Sequence, residues 1–250
     1  MRIFITGVSS GIGRELARVL VAAGREVRGV ARRADAMASL AAEIGSPAFA
    51  YDVCDIADPA SMATLSQAMK RQDYVPDVVI LNAAVDLDDE YPGLDFGQSC
   101  QMMRTNVDGA YFWVAAFIEA FVERNAGQFV AVSSIFAHWP DRNSVSYSGS
   151  KAGLSMLMRG LRIRYAATRL QFKLLYLGPV DTPINPRFSA QEPSGSAIVA
   201  SATGTAEFIV RMLGSNRRNF YFPFYIFLVF TFLRWLPDTW FEFLTSPFKR

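Results

Sequence analysis

Tyr147 and Lys151 lie four residues apart, and both carry side chains that can exchange a proton. On a helix this spacing puts them on one face, where they can meet over one ligand. A phenol titrates near pH 10, too high for general acid–base work at neutral pH unless its surroundings help. A neighbouring ammonium stabilises the phenolate and so lowers the pKa of the phenol. The pair therefore indicates proton transfer, provided that a cofactor binds nearby.

Ser134 and Asn106 are the polar residues that would complete such a site. Ser134 precedes Tyr147 by 13 residues and ends an apolar run, and Asn106 lies in the segment Thr-Asn-Val-Asp-Gly. Hydride addition to a carbonyl builds an alkoxide, which needs a proton donor and a hydrogen-bonding hydroxyl within reach. A tyrosine, a lysine and a serine supply those groups.

Apolar β-branched runs alternate with helical periodicity along most of the chain, which predicts an α/β fold. The predicted strands are Arg2–Thr6, Glu26–Ala31, Ala48–Val53, Asp77–Asn82, Gln128–Ser133 and Gln171–Leu177. The predicted helices are Ile12–Ala23, Ala34–Ile44, Pro59–Met69, Met102–Glu123 and Ser146–Ala167. Strict β–α alternation indicates a single-domain, Rossmann-type, doubly wound parallel sheet with helices on both faces. Its carboxyl edge, where Ser134 falls, is the expected site of chemistry.

A glycine-rich turn joins the first strand to the first helix. Glycines there allow the backbone to approach a pyrophosphate, whose charge the helix N-terminus favours, although a lone turn of this kind is often only a tight loop. The residues expected to bind a cofactor are Gly7, Ser9, Ser10, Gly11, Ile12 and Gly13. Their spacing, Gly-x-x-x-Gly-x-Gly, resembles that of the classical short-chain dehydrogenase/reductase family.

The resemblance covers about residues 1–185 and implies roles for the polar residues. It implies that Tyr147 is the general acid–base and that Lys151 lowers its pKa and holds the nicotinamide ribose. It implies that Ser134 polarises the carbonyl and that Asn106 anchors a water linked to Lys151. Taken singly, each residue has a structural alternative: a strand-ending serine, a packing tyrosine, a helix asparagine or a solvated lysine. All four in the family's order and spacing favour catalysis.

The same resemblance implies further cofactor contacts. Asp52 and Val53 resemble the Asp-Val pair that holds the adenine ring, and Asn82 and Ala83 resemble an Asn-Ala-Gly turn in which Ala84 replaces the glycine. The family's nicotinamide carboxamide segment corresponds to Gly178, Val180 and Thr182, with Leu177 in place of the usual proline.

Arg32 and Arg33 follow the second strand and indicate which dinucleotide is bound. A carboxylate at this position would bind the ribose 2′-hydroxyl of NAD, whereas guanidiniums suit a 2′-phosphate. In this chain the first carboxylate after the second strand is Asp35. The alternative is a pair of solvated surface arginines. We predict NADP(H).

The bulk composition excludes several classes of function. The 250 residues are 51% hydrophobic with a net charge of +2, which suits one large core and gives no pull towards nucleic acid. Two cysteines, Cys54 and Cys100, and one histidine make a disulfide framework or a metal centre improbable. The first strand begins at residue 2, which leaves no room for a signal peptide and predicts a cytoplasmic protein.

The residues expected to contact the substrate follow Ser134 directly. Phe136, His138 and Trp139 suit a largely apolar substrate with one carbonyl or hydroxyl, although a lone loop histidine is more often a packing residue. Four nearby acids are expected to form a solvated rim: Asp86, Asp88, Asp89 and Glu90. If they lined the pocket, they would disfavour anionic substrates. The segment from Thr182 to Ala202 is expected to be a mobile lid.

The chain divides by composition into residues 1–219, the NADP-binding catalytic domain, and an aromatic tail at 220–250. The tail should contribute the last strand from Phe220, then a helix over Tyr225–Leu236 and a short one from Asp238 to Leu244. Residues 220–233 form an apolar run of 14, too short for the ~20 that a spanning helix needs. A helix apolar on all faces must be covered, either by a second subunit of a homo-oligomer or by a membrane surface. Flanking arginines and tryptophans favour the membrane surface.

Together these features predict an NADP(H)-dependent enzyme that interconverts a carbonyl and an alcohol on a small, lipophilic molecule. The principal alternative is a non-catalytic, NADP(H)-sensing scaffold that docks on a membrane or partner. An epimerase or dehydratase of the extended branch is a weaker alternative, because the chain length and the glycine spacing do not favour it.

Overall fold

A computed structural model of the protein describes residues 1–87, 93–141, 143–184, 199–233 and 239–240. The strands are β1 Arg2–Thr6, β2 Glu26–Ala31, β3 Phe49–Val53, β4 Val78–Leu81, β5 Gln128–Ser134, β6 Gln171–Leu177, β7 Val180–Asp181, β8 Ala200–Ser201 and β9 Asn219–Phe222. The helices are α1 Gly11–Ala22, α2 Ala34–Ile44, α3 Pro59–Arg71, α4 Phe96–Met103, α5 Gly109–Glu123, α6 Val145–Arg164, α7 Ala202–Leu213 and α8 Phe224–Leu233.

Seven strands form one parallel sheet in the order β3-β2-β1-β4-β5-β6-β9. Strands β4 and β5 are buried along their whole length, as expected of central strands covered on both faces. The strand order reverses between β1 and β4, and a doubly wound sheet opens a crevice at such a point. The predicted fold class is confirmed.

Alternate residues of each strand feed two hydrophobic cores, one on each face of the sheet. Ile3 and Ile5 of β1 point into the core shared with α1, α2 and α7, whereas Phe4 between them points into the core shared with α3, α5 and α6. The second core is rich in aromatic side chains, with the Phe4 and Trp113 rings 4.6 Å apart. Both faces are therefore fully covered, and the carboxyl edge is left for binding.

The predicted helix at Met102 begins earlier and is interrupted. Asp95 caps α4 by accepting a hydrogen bond from the Gln98 N–H at 3.0 Å, so the helix starts at Phe96. A π-helical turn over Arg104–Asp108 then joins α4 to α5. Single π-turns within helices frequently mark functional sites, and this one carries Asn106.

Helix α7 was not predicted, although its signals are present. Ser201 caps it by accepting from the Gly204 N–H at 3.0 Å, and Ala206, Ile209 and Met212 recur at helical spacing on its buried face. Strand β8 lies near the end of the predicted lid, Thr182–Ala202. Residues 185–198 of that segment lie outside the described residues.

The aromatic tail begins with β9, which completes the sheet, and continues as α8. Among residues 224–228 of this helix, Ile226 is buried, whereas Phe224 is 68% and Leu228 is 56% exposed. Of the short helix predicted from Asp238, the structure describes Thr239 and Trp240, which are helical. Within the described part of the chain, no helix combines the length and the hydropathy needed to cross a bilayer.

Candidate active site

A cleft of about 290 Å³ opens at the carboxyl edge of the sheet, where β1, β4, β5 and β6 end. Most of the residues predicted from the sequence line it. They are Gly7, Ser9, Ser10, Gly11, Ile12, Arg32, Arg33, Asn82, Ala83, Ser134, Phe136, Tyr147, Lys151, Gly178, Val180 and Thr182. Residues separated by more than 170 positions in the chain therefore share one cavity.

The glycine-rich turn is shaped by close backbone contacts that only glycine permits. Gly7 has a φ of +78°, and a Cβ atom there would lie 2.8 Å from the Ala83 Cα. Gly13 lies beneath the turn, where a Cβ would be 2.1 Å from the Gly7 carbonyl oxygen. Gly13 thus packs the turn against helix α1 and does not line the cleft, contrary to its predicted contact with the cofactor.

Asn82 holds the same turn from the side. Its Nδ2 donates to the carbonyl oxygens of Thr6 at 3.0 Å and Gly7 at 3.2 Å. In return, the Thr6 hydroxyl oxygen accepts hydrogen bonds from the backbone N–H groups of Asn82 and Ala83. These bonds fix the end of β4 to the turn after β1.

The arginine pair lies at the end of β2, on the rim of the cleft. The Arg33 Nη2 donates to the Ser9 hydroxyl at 3.0 Å, which brings the guanidinium onto the glycine-rich turn. Both arginines are exposed, and the ion pairs found among the described residues include neither of them. Two cations without a carboxylate partner beside a helix N-terminus suit a phosphate group.

The structure does not bring Asp52 and Val53 to the cleft. Asp52 forms a two-bond ion pair with Arg28, at 2.6 and 3.0 Å, and Val53 is 54% exposed. Strand β3 ends at Val53, so the turn that follows reaches the cleft with Cys54, Asp55 and Ile56. The pair predicted to hold the adenine ring therefore lies three residues too early in the chain. Asp55-Ile56 repeats the acid–aliphatic pattern, and only the strand boundary distinguishes the two pairs.

Tyr147, Lys151 and Ser134 are brought together by α6 and the end of β5. The Tyr147 phenol is hydrogen-bonded to the Ser134 hydroxyl. Lys151, which is 2% exposed, lies one turn further along α6, with Nζ 5.5 Å from the centre of the Tyr147 ring. That ammonium also donates to the Val132 carbonyl at 3.0 Å. The proton-transfer pair inferred from spacing is therefore assembled over the cleft.

Burial dominates the electrostatics of this pair. It raises the pKa of Tyr147 above its ordinary value, the charge of Asp86 adds to that rise, and the hydrogen bond with Ser134 opposes it. Burial lowers the pKa of Lys151 to about 8, with Asp86 opposing that change. The phenol is thus protonated at neutral pH and ready to donate. The lowering of the Tyr147 pKa by Lys151, which the resemblance implied, stays a prediction.

Asn106 acts on the site through its neighbours, because it lies behind the cleft and is 1% exposed. Its amide brackets one residue: Oδ1 accepts from the Val85 N–H at 2.8 Å, and Nδ2 donates to the Val85 carbonyl at 2.9 Å. Nδ2 also donates to Ser150, whose hydroxyl donates to the Tyr147 carbonyl at 2.7 Å. The π-turn thus fixes both the segment after β4 and the backbone of the tyrosine. The water link implied by the resemblance stays a prediction.

Phe136 is the one of the three predicted substrate residues that lines the cleft, with its ring at a right angle to the Tyr147 ring. His138 instead packs against Tyr176, with ring centres 4.4 Å apart. Asp86, predicted on a solvated rim, lines the cleft, while the predicted rim acids Asp88, Asp89 and Glu90 lie outside the described residues. Within the described ranges no cluster of three His, Cys, Asp or Glu side chains could hold a metal.

A doubly wound parallel sheet with this serine, tyrosine and lysine at its carboxyl edge defines a Rossmann-type oxidoreductase. A profile of the family described as short chain dehydrogenase matches residues 1–193. The protein belongs to the short-chain dehydrogenase/reductase family.

Curated relatives and solved structures agree with this assignment. A 3-oxoacyl-acyl-carrier-protein reductase of Aggregatibacter actinomycetemcomitans is 30% identical over 189 residues, covering 73% of this chain and 77% of that protein. Galactitol 2-dehydrogenase (L-tagatose-forming) of Cereibacter sphaeroides is 31% identical, covering 71% and 70%. A short-chain dehydrogenase from Sphingobium yanoikuyae in complex with NADPH superposes with a TM-score of 0.82 at 20% identity, covering 100% and 96%.

Proposed function

We propose that the protein is an NADP(H)-dependent oxidoreductase that interconverts a carbonyl and an alcohol, with Tyr147 as general acid and base. The observation that carries this proposal is the assembly of Ser134, Tyr147 and Lys151 in the same cleft as the glycine-rich turn. A proton donor beside a dinucleotide site is what hydride transfer to a carbonyl requires.

The residues of the cleft fit NADP(H). The glycine-rich turn gives the backbone approach that a pyrophosphate needs, and Arg33 on Ser9 gives a cation for a 2′-phosphate. Asp55 and Ile56 replace Asp52 and Val53 as the adenine contacts in this proposal, while Gly178, Val180 and Thr182 flank the nicotinamide end. The Sphingobium enzyme was solved with NADPH, and a relative from Haemophilus influenzae, 29% identical, is described as a probable NADP-dependent dehydrogenase.

The proton moves through the side chains of this chain. When bound, the nicotinamide exchanges a hydride with the substrate carbon. In reduction, the substrate oxygen accepts a hydrogen bond from Ser134 and then the phenol proton of Tyr147, so a carbonyl becomes an alcohol. The raised pKa of Tyr147 keeps that proton in place until the oxygen becomes basic. Lys151 supplies a positive charge beneath the phenolate that is left.

The cleft favours a substrate with an apolar body. Its lining includes the apolar residues Val85, Ile135, Phe136 and Ile184. Such a lining suits a lipophilic carbonyl compound, oriented by a few polar groups.

The tail helix supports contact with a membrane surface, and it is the basis for our proposal of peripheral attachment. Phe224, Tyr225, Phe227 and Leu228 are all exposed on α8, and exposed apolar patches of this kind mark interaction sites. Co-sedimentation with anionic vesicles tests the contact. A truncation after Phe222, which keeps β9, should stay in the supernatant. If the full-length protein does not pellet with the vesicles, burial of the tail helix in a subunit interface is the remaining explanation.

A homo-oligomer is proposed from a different surface. Phe96 of α4, Tyr111 of α5, and Met156 and Ile163 of α6 are large apolar side chains exposed on the helices of one face. Analytical ultracentrifugation of Ile163→Lys tests whether this surface joins two copies.

Tyr147→Phe tests the catalytic proposal, because it removes the proton and keeps the ring. We expect kcat for NADPH-dependent reduction across a panel of ketones to fall by roughly 10²–10⁴-fold, with NADPH binding retained. Loss of NADPH binding would instead indicate a structural role for the hydroxyl. Full activity of the variant would refute the role of Tyr147 as general acid and base, whereas NADPH binding by the wild type without reduction of any ketone would support the non-catalytic, NADP(H)-sensing alternative.

A further inference from the structure

A second cavity, of about 160 Å³, lies at the amino edge of the sheet, where β6 and β9 begin. Its walls come from the last turn of α6, the start of β6 and the turn that precedes β9. The described residues that line it include none that line the catalytic cleft at the opposite edge. The two cavities are therefore separate.

Four cationic residues line this second cavity, and the described part of its lining contains no acidic residue. The four are Arg162, Lys173, Arg217 and Arg218. The ion pairs found among the described residues include none of them. Cationic side chains are rarely removed from water without a partner of opposite charge, yet Lys173 is 1% exposed. The cavity thus concentrates positive charge.

The Lys173 ammonium is fixed at the C-terminal end of α7. It donates hydrogen bonds to the carbonyls of Met212 and Leu213 at 3.0 and 2.8 Å. An ammonium has three N–H groups, so these bonds leave one of them for a ligand. The end of a helix offsets only about half a unit charge. Burial lowers the pKa of Lys173 to about 8, and the group is therefore mostly cationic at neutral pH.

The Arg162 guanidinium reaches from α6 to the edge of the sheet. Its Nε donates to the Phe172 carbonyl at 2.7 Å, and its two Nη atoms donate to the Asn219 side-chain oxygen and the Arg218 carbonyl. These bonds use three of its five N–H groups and fix the plane of the fork. Burial lowers the pKa of Arg162, and the charge of Arg218 lowers it further. The two guanidiniums therefore repel each other, and an anion between them would replace this repulsion by attraction.

We propose that this cavity is an anion site that binds a phosphate group, carried by the free ion, by a small ester or by a lipid headgroup. A phosphate monoester at neutral pH carries about −1.5 to −2 charge and three acceptor oxygens, which match several converging cations better than a single carboxylate does. The planar fork of Arg162 suits two of those oxygens. The site goes beyond the proposed oxidoreductase activity and does not depend on it.

Calorimetric titration of the full-length protein with inorganic phosphate tests the site. Sodium chloride keeps the ionic strength constant, so that screening does not change, and saturating NADP⁺ occupies the catalytic cleft. We expect one phosphate to bind per chain. The Tm should rise with phosphate concentration, because the ligand binds the folded state.

Arg218→Gln is the principal variant, because the Arg218 side chain is exposed and its bond with Arg162 comes from the backbone carbonyl. The Kd for phosphate should rise about tenfold or more. In phosphate-free buffer the Tm of this variant should equal or exceed that of the wild type, since a repulsion is removed. A purely structural role of Arg218 would lower that Tm and leave the Kd unchanged.

Two control variants should keep the wild-type Kd for phosphate. Arg164→Gln removes the same charge from an exposed position of α6 that does not line the cavity. Arg33→Ala removes a cation from the catalytic cleft. No phosphate binding by the wild type, or the same Kd in Arg218→Gln, would overturn the proposal. Loss of phosphate binding in Arg33→Ala would assign the anion to the cofactor cleft and overturn it as well.

Glycerol 3-phosphate and lipid vesicles distinguish the sources of the phosphate group. Tight binding of the soluble ester that Arg218→Gln loses would identify a small ester. A preference for phosphatidic acid over phosphatidylcholine vesicles that Arg218→Gln loses and Arg164→Gln keeps would identify a headgroup. Binding of inorganic phosphate alone would identify the free ion. Retention of every preference in Arg218→Gln would refute the site.

Discussion

Replacing glycine by alanine should have opposite effects at two helical positions of this chain. At Gly13 in α1 the new Cβ would lie 2.1 Å from the Gly7 carbonyl oxygen and 2.6 Å from the Asn82 Nδ2. At Gly160 in α6 a Cβ would have no neighbour within 4 Å. The two variants therefore share one chemical change and differ only in the space around it.

The cost at Gly13 can be worked from these distances. Ordinary contact with a Cβ begins near 3.4 Å, so the Gly7 carbonyl has to move by more than about 1 Å, and such overpacking costs about 1–3 kcal/mol. The hydrogen bond from Asn82 to Gly7 is lost as well, which costs about 1 kcal/mol. The higher helix propensity of alanine offsets up to about 1 kcal/mol of this cost. We expect a net destabilisation of about 2 kcal/mol, or a Tm lower by about 4–8 °C.

Gly160→Ala gains the same propensity without a clash, so its Tm should rise by about 2–4 °C. Thermal melts measure both shifts, and fluorescence titration with NADPH measures binding. Because Gly13→Ala displaces the turn expected to hold the pyrophosphate, its Kd for NADPH should rise at least about tenfold, while that of Gly160→Ala stays unchanged. A Gly13→Ala protein as stable as the wild type, with the same Kd, would refute the close-packing argument.

Three further outcomes are expected. Arg33→Ala should raise the Kd for NADPH about 10–100-fold and leave that for NADH unchanged; equal losses for both cofactors would contradict the assignment of the 2′-phosphate. Burial lowers the pKa of Lys173 to about 8. Lys173 therefore binds fewer protons in the folded state than in the unfolded chain between pH 8 and about 10, and its own contribution to stability should rise with pH across that window. Lys173→Met should make the slope of Tm against pH less positive in this window, and an unchanged slope would exclude Lys173 as a source. Asp86→Asn should move the pH profile of NADP⁺-dependent alcohol oxidation to lower pH, because the carboxylate raises the pKa of Tyr147; a shift to higher pH would reverse this reasoning.

Local periodicity was enough to predict the sheet and most of the helices. Strands such as β1, β2 and β6 begin and end where their apolar runs do. Helix α7 was overlooked because small residues obscured an apolar stripe that is buried only once α7 packs against α1. Cap residues such as Asp95 and Ser201 are local signals, and they mark the helix starts that the apolar pattern alone had placed too late or missed.

The chemical groups of the site follow from the order of the amino acids: a tyrosine and a lysine one helical turn apart, a serine at a strand end, and a glycine-rich turn before a helix. Helix and strand geometry fix these relations between near neighbours, whatever surrounds them. Which groups meet from distant segments depends on the packed fold. It placed Asp55 rather than Asp52 at the cleft, put Gly13 against Gly7, and made Asn106 the clamp on Val85. It also placed Asp86, expected on a solvated rim, among the residues that line the cleft with Tyr147. Such contacts depend on where β4 and the π-turn lie in the packed fold. The spacing of residues along the chain carries no information about the distance between these two segments.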